Sequence, residues 1–424
     1  MKKNVFQKAI SLFSIYSGFS RTVYILFICR LINSMGYFVF PFLTLFLSNH
    51  LSFGPEKVGF YLMLIEIGRI SGALFGGKLT DIFGRKKMLL TFQFAIALFL
   101  FPCAFLEDSL VVPKLLIFAA FFNGATRPAY DAIMIDLSTS KNRKEIFSFI
   151  YLGLNLGFGI GSLIAGFLYS HYIKLLFLGN VFAILVVCIF IFLHFKETLP
   201  SKAELGVNTG RSVLRESLIA ILLRKPIILY FSLVSILFYF VHGQFLFSLP
   251  LQVNDLFGLD GPQYFGMVMS FNCFIVVFMT MPVTIISRQN RPIVNIAFSG
   301  ILFAIGFGMI YWINQFNWIL VSTFIWTIGE ILIRTNAGVY IANHSPITHR
   351  GRFNSLVSLS ESISRMFGPP LLGIVISLTS IRQVWVIIFF ASIIASGLMY
   401  SIYQLEGQSA KNFDSKKKII LPQE

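Results

Sequence analysis

Charged side chains lie within segments of this chain that are otherwise apolar. Arg30 stands alone, whereas each acid in these segments has a base three or four residues away on the same helical face. The pairs are Glu66 with Arg69, Asp131 with Arg127, Glu330 with Arg334, and Glu361 with Arg365. A charge inside a bilayer is costly and usually marks a transport pathway, a proton relay or an interhelical ion pair. Each pair can also be a self-neutralising structural feature, but the whole set favours transport.

The second half of the chain repeats four landmarks of the first half at a constant offset of 207 residues. The matched residues are Arg127 and Arg334, Arg143 and Arg350, Gly161 and Gly368, and Gly166 and Gly373. A repeat of about half the chain is too long for a solenoid unit and is typical of the duplicated bundles of secondary transporters. The pattern therefore predicts a duplicated membrane bundle.

The acids do not follow this repeat. Glu330 corresponds to Asn123, and Asp131 corresponds to Gly338. Because the arginines are shared between the halves and the carboxylates are not, the carboxylates are the candidates for proton coupling. Glu330 and Asp131 come first, and Glu66 is the next candidate.

Long apolar segments must hold these charges in place. Of the 424 residues, 56% are hydrophobic and 12% are charged, and the mean hydropathy is +0.79, whereas about one quarter of a soluble domain is charged. Segments of about 20 apolar residues, the length that crosses a bilayer, occur at 22–48, 58–80, 88–106, 111–135, 146–170, 172–195, 227–250, 264–287, 293–313, 317–341, 353–379 and 382–403. The sequence predicts an all-α membrane protein with twelve transmembrane helices in two pseudo-symmetric six-helix bundles.

A polar stretch separates the two predicted bundles. The N-terminal bundle is predicted at 21–196 and the C-terminal bundle at 227–404. The linker at 197–226 becomes amphipathic toward its end, which is typical of a helix lying along the inner membrane face. Residues 1–20 are predicted as a cytoplasmic segment, and 405–424 as a cytoplasmic tail.

The net charge of +16 is unevenly distributed along the chain. If the amino terminus is cytoplasmic, most lysines and arginines fall on the cytoplasmic side, and the other side has only Lys57, Lys114, Lys174 and Arg382. This asymmetry follows the positive-inside rule. It predicts a multi-pass protein of the cell inner membrane with both termini in the cytoplasm, and it argues against nucleic-acid binding.

Sequence motifs of nucleotide and metal chemistry are missing. The segment GFGIG lacks the third glycine of a dinucleotide-binding turn, and no GxxxxGK[ST] motif occurs. The four cysteines are scattered singly, without metal-ligand spacing. Gly153, Gly157 and Gly161 instead form a ridge at four-residue spacing, which permits close approach of another helix. The sequence predicts no enzyme activity, no cofactor and no metal.

The segment GGKLTDIFGRKKML, from Gly76 to Leu89, joins the second and third spans. It resembles the signature loop of the major facilitator superfamily. Further segments are similar to the bacterial multidrug-type drug/proton antiporters of that superfamily: GYFVFPFLTLFLS with Gly36 and Pro41, RPAYDAIMIDL, HRGRF and FGPPLLG. One departure weakens the expectation of export, because Gly161, Ser162, Ala165 and Gly166 replace the Gly-Pro-x-x-Gly-Gly motif of the fifth span.

The fold that this resemblance implies has a central cavity lined by spans 1, 4, 7 and 10. The side chains expected to face substrate there are Arg30, Arg127, Asp131, Glu330, Arg334, His242 and Gln244. A lone histidine is more often a hydrogen-bonded packing residue, and this interpretation is favoured for His242.

The resemblance also implies that the signature loop is a latch that closes the cytoplasmic side. Gly77 and Gly84 permit the tight connection between the helices. Asp81 is expected to face the amino terminus of span 11, and Arg85 to pair with Asp136 at the end of span 4.

Span 2 lies beside span 11 in the implied fold, and residue counts along the two helices give matching depths. Glu66 is then expected to meet Arg365, and Arg69 to meet Glu361, in a salt bridge between the bundles. This cluster would hold the extracellular side shut. The alternative is that each pair neutralises itself within its own helix.

The sequence therefore predicts a secondary active transporter that works by alternating access. The leading hypothesis is proton-coupled export of an amphipathic small molecule, such as a drug, natural product or siderophore. Proton-coupled uptake of a small metabolite is the alternative, and the cavity arginines would suit an anionic one. A non-transporting receptor or scaffold is the third hypothesis and has no use for so many charges. The expected partners are the substrate, protons and membrane lipids, and the chain is expected to be a monomer.

Overall fold

The computed structural model describes residues 16, 18–106, 109–139, 142–198, 226–345 and 350–420. All regular secondary structure in these residues is helical. Within this described part of the chain, the helices with ten or more residues are α1 (Arg21–Met35), α2 (Pro55–Phe83), α3 (Arg85–Leu100), α4 (Val112–Asp136), α5 (Arg143–Tyr169), α6 (Ile173–His194), α7 (Pro226–His242), α8 (Ser248–Phe257), α9 (Gly261–Ser287), α10 (Pro292–Gly308), α11 (Phe316–His344), α12 (Arg350–Leu378) and α13 (Ile381–Ile420).

Eight helical segments in the described part of the chain are long and apolar enough to cross a membrane. One of them, Pro226–Ser287, extends over 62 residues and contains α7, α8 and α9. Three predicted spans correspond to helices outside this set: α1 has only 15 residues, and α4 and α12 carry charged residues along their length. The all-α membrane architecture is confirmed, and the count of twelve spans stays a prediction.

The first predicted span, at 22–48, is not one helix. Helix α1 ends at Met35, and a helical turn at Leu43–Leu45 and a π-helical turn at Phe46–His50 follow it. Pro41 lies between them and has no amide hydrogen to donate, so it disfavours a continuous helix. Gly36 ends α1 where its backbone meets Ala183, leaving no room for a side chain.

The seventh predicted span, at 227–250, is also interrupted. Helix α7 ends at His242, and a 3₁₀ turn at Gly243–Phe245 follows before α8 begins at Ser248. Pro250 then lies in the first turn of α8, where its missing amide hydrogen is tolerated. Apolar composition alone did not reveal this break.

The last helix is longer than its predicted span. Helix α13 continues to Ile420, whereas the span was predicted to end at 403. A run of polar and charged residues follows this span. Such residues end an apolar segment without necessarily ending a helix, because lysine and glutamine have good helix propensity.

The chain divides into two compact units by its internal packing. Unit 1 comprises Met1–Thr209 and Leu249–Val277, and unit 2 comprises Gly210–Ser248 and Phe278–Glu424. Helices α1 to α6, with α8 and most of α9, therefore belong to unit 1. The predicted bundle boundaries at 21–196 and 227–404 stay a prediction.

Glycines bring the helices of unit 1 into close contact. Gly153, Gly157 and Gly161 of α5 face Phe27, Leu31 and Met35 of α1, and a methyl group at Gly161 would lie 3.0 Å from the Met35 Cα. The predicted glycine ridge is thus confirmed. Close approach of this kind replaces the hydrophobic driving force that is weak between helices in lipid.

Unit 1 holds the segment from residue 249 to 277 through backbone proximity and polar contacts. A methyl group at Gly166 of α5 would lie 3.1 Å from the Gly266 Cα of α9. The Asn49 side-chain amide donates to the Asn254 amide oxygen of α8 at 3.0 Å. The first contact pairs the amino-terminal half of α9 with α5, and the second joins the π-helical turn at Phe46–His50 to α8.

Aromatic side chains fill the core of unit 2. Trp326 of α11 and Trp385 of α13 are fully buried. The Phe307 ring of α10 stacks against both, with centroid distances of 5.3 and 6.0 Å. This packing fixes α11, the helix that carries Glu330 and Arg334.

Candidate functional site

A network of two acids, two arginines and one histidine lies within unit 2. It joins His242 of α7, Glu330 and Arg334 of α11, and Glu361 and Arg365 of α12. The Arg334 Nε donates to Glu330 Oε1 at 2.9 Å, and Arg334 Nη2 lies 3.7 Å from Glu361 Oε1. Arg334 therefore bridges the carboxylates of two helices.

The outer members complete the network from α7 and α12. The Arg365 Nη2 donates to Glu361 Oε1 at 2.5 Å. The His242 Nε2 lies 3.5 Å from Glu330 Oε1, the same oxygen that accepts from Arg334. One carboxylate oxygen thus lies between an arginine and an imidazole.

Burial makes this network sensitive to any change in charge. Glu330 is 8% exposed and His242 is 5% exposed. The rings of Phe245, Phe303 and Trp326 surround the imidazole at centroid distances of 4.7, 5.9 and 6.3 Å. A charge without a partner is expensive in such a setting. A proton added to one side chain must therefore be offset by a change of charge or contact at another side chain of the network.

The network is electrically balanced before any proton is added to His242 or to an acid. Glu330 and Glu361 contribute two negative charges, and Arg334 and Arg365 contribute two positive charges. Protonation of any acid, or of His242, gives the network one excess positive charge. His242 was interpreted from the sequence as a packing residue, and the structure places it beside Glu330.

Gln244 does not join this network. Its amide nitrogen donates to the Phe240 carbonyl at 2.8 Å, and its amide oxygen accepts from the Ser248 hydroxyl at 2.9 Å. The side chain is 1% exposed and bridges the turn between α7 and α8. Through these hydrogen bonds Gln244 stabilises the turn.

Unit 1 carries a second, differently constructed group of charges. The Arg30 guanidinium of α1 lies over the Tyr130 ring of α4, 4.2 Å from its centroid. Asp131 interacts electrostatically with both Arg30 and Arg127. Within the described chain, neither arginine has a carboxylate within 4.0 Å, which contrasts with the direct ion pairs of unit 2.

Glu66 and Arg69 form an ion pair within α2. The Arg69 Nε donates to Glu66 Oε2 at 2.8 Å, and a second, shorter contact joins Arg69 Nη2 to Glu66 Oε1. Glu361 and Arg365 also pair within α12. This is the geometry of the self-neutralising alternative, and the expected bridge between the bundles stays a prediction.

The signature loop is the junction between α2 and α3. Gly84 separates the two helices with a φ of +103°, a conformation that favours glycine. The Arg85 Nε lies 3.2 Å from Asp136 Oδ2 at the end of α4, and Arg85 Nη2 lies 3.6 Å from Asp81 Oδ1. Gly77 has room for a side chain, because a methyl group there would lie 3.8 Å from Pro128.

Glu197 is a member of the signature-loop site that sequence reasoning missed. Its Oε1 accepts from the backbone amides of Arg85 at 2.7 Å, Lys86 at 3.4 Å and Thr198 at 3.0 Å. The carboxylate therefore caps the amino terminus of α3, where negative charge is favoured. The Thr198 hydroxyl donates to Asp136 Oδ2 at 2.9 Å. More than a hundred residues separate Glu197 from Arg85 in the sequence, so no local pattern indicated the contact.

Tyr130 is a second residue that the sequence did not single out. Its buried hydroxyl accepts hydrogen bonds from Gln93 of α3 at 2.9 Å and from Asn33 of α1 at 3.3 Å. These two amides hold the ring against which Arg30 lies. The only sequence signal was its position beside Asp131.

The described residues contain no group of three or more His, Cys, Asp or Glu side chains arranged to hold a metal ion. Cys29, Cys103, Cys188 and Cys273 are free thiols.

Comparisons with known proteins agree on one family. A family model of the Major Facilitator Superfamily matches residues 26–346 and 296–422. The chain is 27% identical over 364 residues to a Na(+), Li(+), K(+)/H(+) antiporter of Planococcus maritimus, covering 80% of this chain and 85% of that protein. It is 25% identical over 240 residues to the multidrug resistance protein MdtH of Salmonella typhi, covering 55% of this chain and 57% of that protein.

Solved structures show the same fold. The POT family transporter PepTSo superposes with a TM-score of 0.73 at 16% sequence identity, covering 92% of this chain and 99% of that one.

Proposed function

The chain belongs to the major facilitator superfamily and is a multi-pass membrane transporter, not an enzyme, and we propose that it exports an amphipathic small molecule in exchange for protons. Drugs, natural products and siderophores belong to this substrate class. The transporter alternates access to a site near the bilayer midplane. It functions in the cell inner membrane, with both termini in the cytoplasm.

The shared Glu330 oxygen is the observation that carries this proposal. A proton on Glu330 removes the negative charge that holds Arg334 and faces His242. Arg334 can then strengthen its contact with Glu361, whose oxygen is already 3.7 Å away. Proton uptake and rearrangement of α11 against α12 are thereby linked, because the buried network tolerates no uncompensated charge.

The relatives support both parts of the proposal. The name of the Planococcus relative describes exchange against protons, and the name of MdtH describes multidrug resistance. Export of a monovalent cation in exchange for protons is a second candidate, favoured by the first of these relatives. Proton-coupled uptake of a small anion is a third, favoured by Arg30 and Arg127.

The signature loop serves as a latch in this proposal. Arg85 joins the loop to α4 through Asp136. The Asp81 carboxylate is exposed, and its contacts help to close the transporter on the cytoplasmic side. Asp81→Asn is expected to leave the protein in the membrane and to lower transport steeply. Wild-type transport by this variant would reject the latch.

Proton release in everted membrane vesicles tests the exchange directly. Respiration acidifies the vesicle interior, and a fluorescent amine reports the gradient while aromatic amphiphiles, NaCl, LiCl or KCl are added. Export is expected to give a proton flux that depends on an added amphiphile and is lost in Glu330→Gln. Glu56→Gln, an exposed acid at the start of α2, is the matched control and should behave as wild type.

The outcomes separate the candidate functions. A flux that responds only to Na⁺, Li⁺ or K⁺ supports the cation antiporter instead. Uptake in right-side-out vesicles driven by an inward proton gradient supports the importer. Proton flux in Glu330→Gln equal to wild type would reject the assigned coupling site.

A further inference from the structure

The charged group around Arg30 in unit 1 is unbalanced, unlike the network of Glu330, Arg334, Glu361 and Arg365 in unit 2. Arg30 and Arg127 bring two positive charges, and Asp131 is the acid that acts on both. The two arginines also repel each other electrostatically. In unit 2, Glu330 and Glu361 each have a direct arginine partner, so their charges cancel. In unit 1, Arg30 and Arg127 share Asp131, which leaves one excess positive charge.

Arg30 is held in place without an ion pair. The Tyr130 ring supports its guanidinium at 4.2 Å, and this ring is itself fixed by hydrogen bonds from Asn33 and Gln93 to the Tyr130 hydroxyl. The Arg30 Nε is buried and has no hydrogen-bond partner among the described residues. The guanidinium also has a side-chain hydrogen bond with Tyr130, so its Nε–H is the donor that remains for a ligand. The planar fork of a guanidinium matches the geometry of a carboxylate.

Arg127 is exposed in the middle of a membrane helix. It precedes Asp136, the last residue of α4, by nine residues, which is about 13 Å along the axis. An arginine at this depth faces a water-filled cavity or another protein group, because exposure to lipid is too costly. The exposed Arg127 side chain is therefore available to a ligand that reaches it from water.

We propose that the substrate carries an anionic group, a carboxylate or a group of the same charge, that binds Arg30 and Arg127. The Tyr130 ring beside Arg30 offers an aromatic surface to the remainder of the molecule. The substrate class is then an amphipathic organic anion. This inference rests on the proposed transport function, but it concerns binding and not the coupling of transport to protons.

Binding of an anion balances the charges of the group formed by Arg30, Arg127 and Asp131. One negative charge on the ligand offsets the one excess arginine, so the loaded site is neutral. A cationic ligand would raise the positive charge of a site that already carries an excess, and a neutral ligand would leave that excess in place. The site therefore discriminates by charge before it discriminates by shape.

Thermal unfolding of the purified full-length chain in detergent tests this inference without any ion gradient. Three aromatic probes of the same size and different charge are compared: 2-naphthoate, 2-naphthamide and 2-naphthylmethylammonium. Saturating stabilisation is expected with naphthoate only. LiCl, NaCl and KCl at matched ionic strength form a separate arm, and none should give a saturating response.

Variants assign the response to the two arginines. Arg30→Gln and Arg127→Gln are each expected to raise the dissociation constant for naphthoate by about 10- to 100-fold, because each substitution removes one charge-assisted contact. Arg127→Lys keeps the charge and should retain part of the affinity. Arg382→Gln, an arginine that donates to Asn314 outside this group, is the matched control and should bind as wild type.

Several results of these measurements would contradict binding of an anionic substrate. Equal stabilisation by the three probes, preference for the ammonium probe, or a saturating response to a monovalent cation would overturn the proposal. The same holds for no response to any probe, and for naphthoate binding that both arginine variants leave intact. Loss of coupling in Glu330→Gln with naphthoate binding preserved separates this inference from the proposed proton exchange.

Discussion

At the scale of single residues, the positions of hydrogen-bonding atoms matter more than the number of charges. Sequence spacing paired each acid with a base on its own helix, and the structure contains these pairs for Glu66, Glu330 and Glu361. Spacing did not reveal that Arg334 also reaches Glu361, or that His242 shares an oxygen with Arg334. Those contacts join different helices, and residue counts within one helix contain no information about them.

Arg334→Lys tests the bridging role of Arg334. Lysine keeps the charge but has a single ammonium in place of the Nε and Nη2 atoms that contact Glu330 and Glu361. Proton-coupled transport is expected to fall by about 10- to 100-fold, the loss of one contact between charged groups, while membrane insertion is retained. Arg382→Lys, at the start of α13 and outside the network, is the control. Unchanged proton flux in Arg334→Lys would show that the bridge has no part in coupling.

At the scale of helices, composition located most elements and missed their interruptions. The ridge of Gly153, Gly157 and Gly161 could be predicted because helical periodicity places such residues on one face. The break after Met35 and the break after His242 could not, because the flanking residues remain apolar on both sides. Pro41 and Gly243 were the available local signals. The cap on α3 depends on Glu197, which folding brings from the end of α6.

Two glycine substitutions distinguish close packing from helix propensity. Gly161→Ala places a methyl group against the Met35 backbone of α1 and is expected to lower the melting temperature of the purified protein. Gly338→Ala, in α11, meets nothing within 4 Å and should stabilise by up to about 1 kcal/mol through helix propensity. Equal effects of the two substitutions on thermal unfolding would contradict the close contact between α5 and α1.

Glu197→Ala tests the cap on α3. Three backbone amides lose their shared carboxylate acceptor, and the expected loss of stability is about 0.5–2 kcal/mol, as for other amino-terminal caps. The melting temperature and transport should both decrease. Glu56→Ala removes an exposed acid from the first turn of α2 and is the comparison variant. A smaller effect at Glu197 than at Glu56 would show that the cap is dispensable.

At the scale of the whole molecule, an uneven charge distribution accompanies two compact units. The 207-residue repeat predicted the duplicated architecture, because shared arginines and glycines mark equivalent positions. It did not predict that the acid–base network would be complete within unit 2 and unbalanced in unit 1. That difference depends on side-chain contacts that a repeat does not encode. We therefore propose that proton coupling depends on unit 2 and substrate binding on unit 1.

The predicted bridge between the bundles has its own test at this scale. If Glu66 meets Arg365 during the transport cycle, Glu66→Arg and Arg365→Glu should each lower transport by leaving a buried charge without its partner. The double exchange should then recover transport measured on correctly inserted protein. Failure of the double exchange to recover it would favour the pairs within α2 and within α12.

Transport in reconstituted proteoliposomes tests whether Glu330 couples proton movement to substrate movement. Two fluxes of one labelled substrate are measured in wild type and in Glu330→Gln: exchange between equal concentrations without a gradient, and accumulation driven by a pH gradient. Glu330→Gln is predicted to retain exchange and to lose gradient-driven accumulation, because the binding site persists while the titrating carboxylate is gone. Gradient-driven accumulation that persists in Glu330→Gln at the wild-type rate would contradict the assignment.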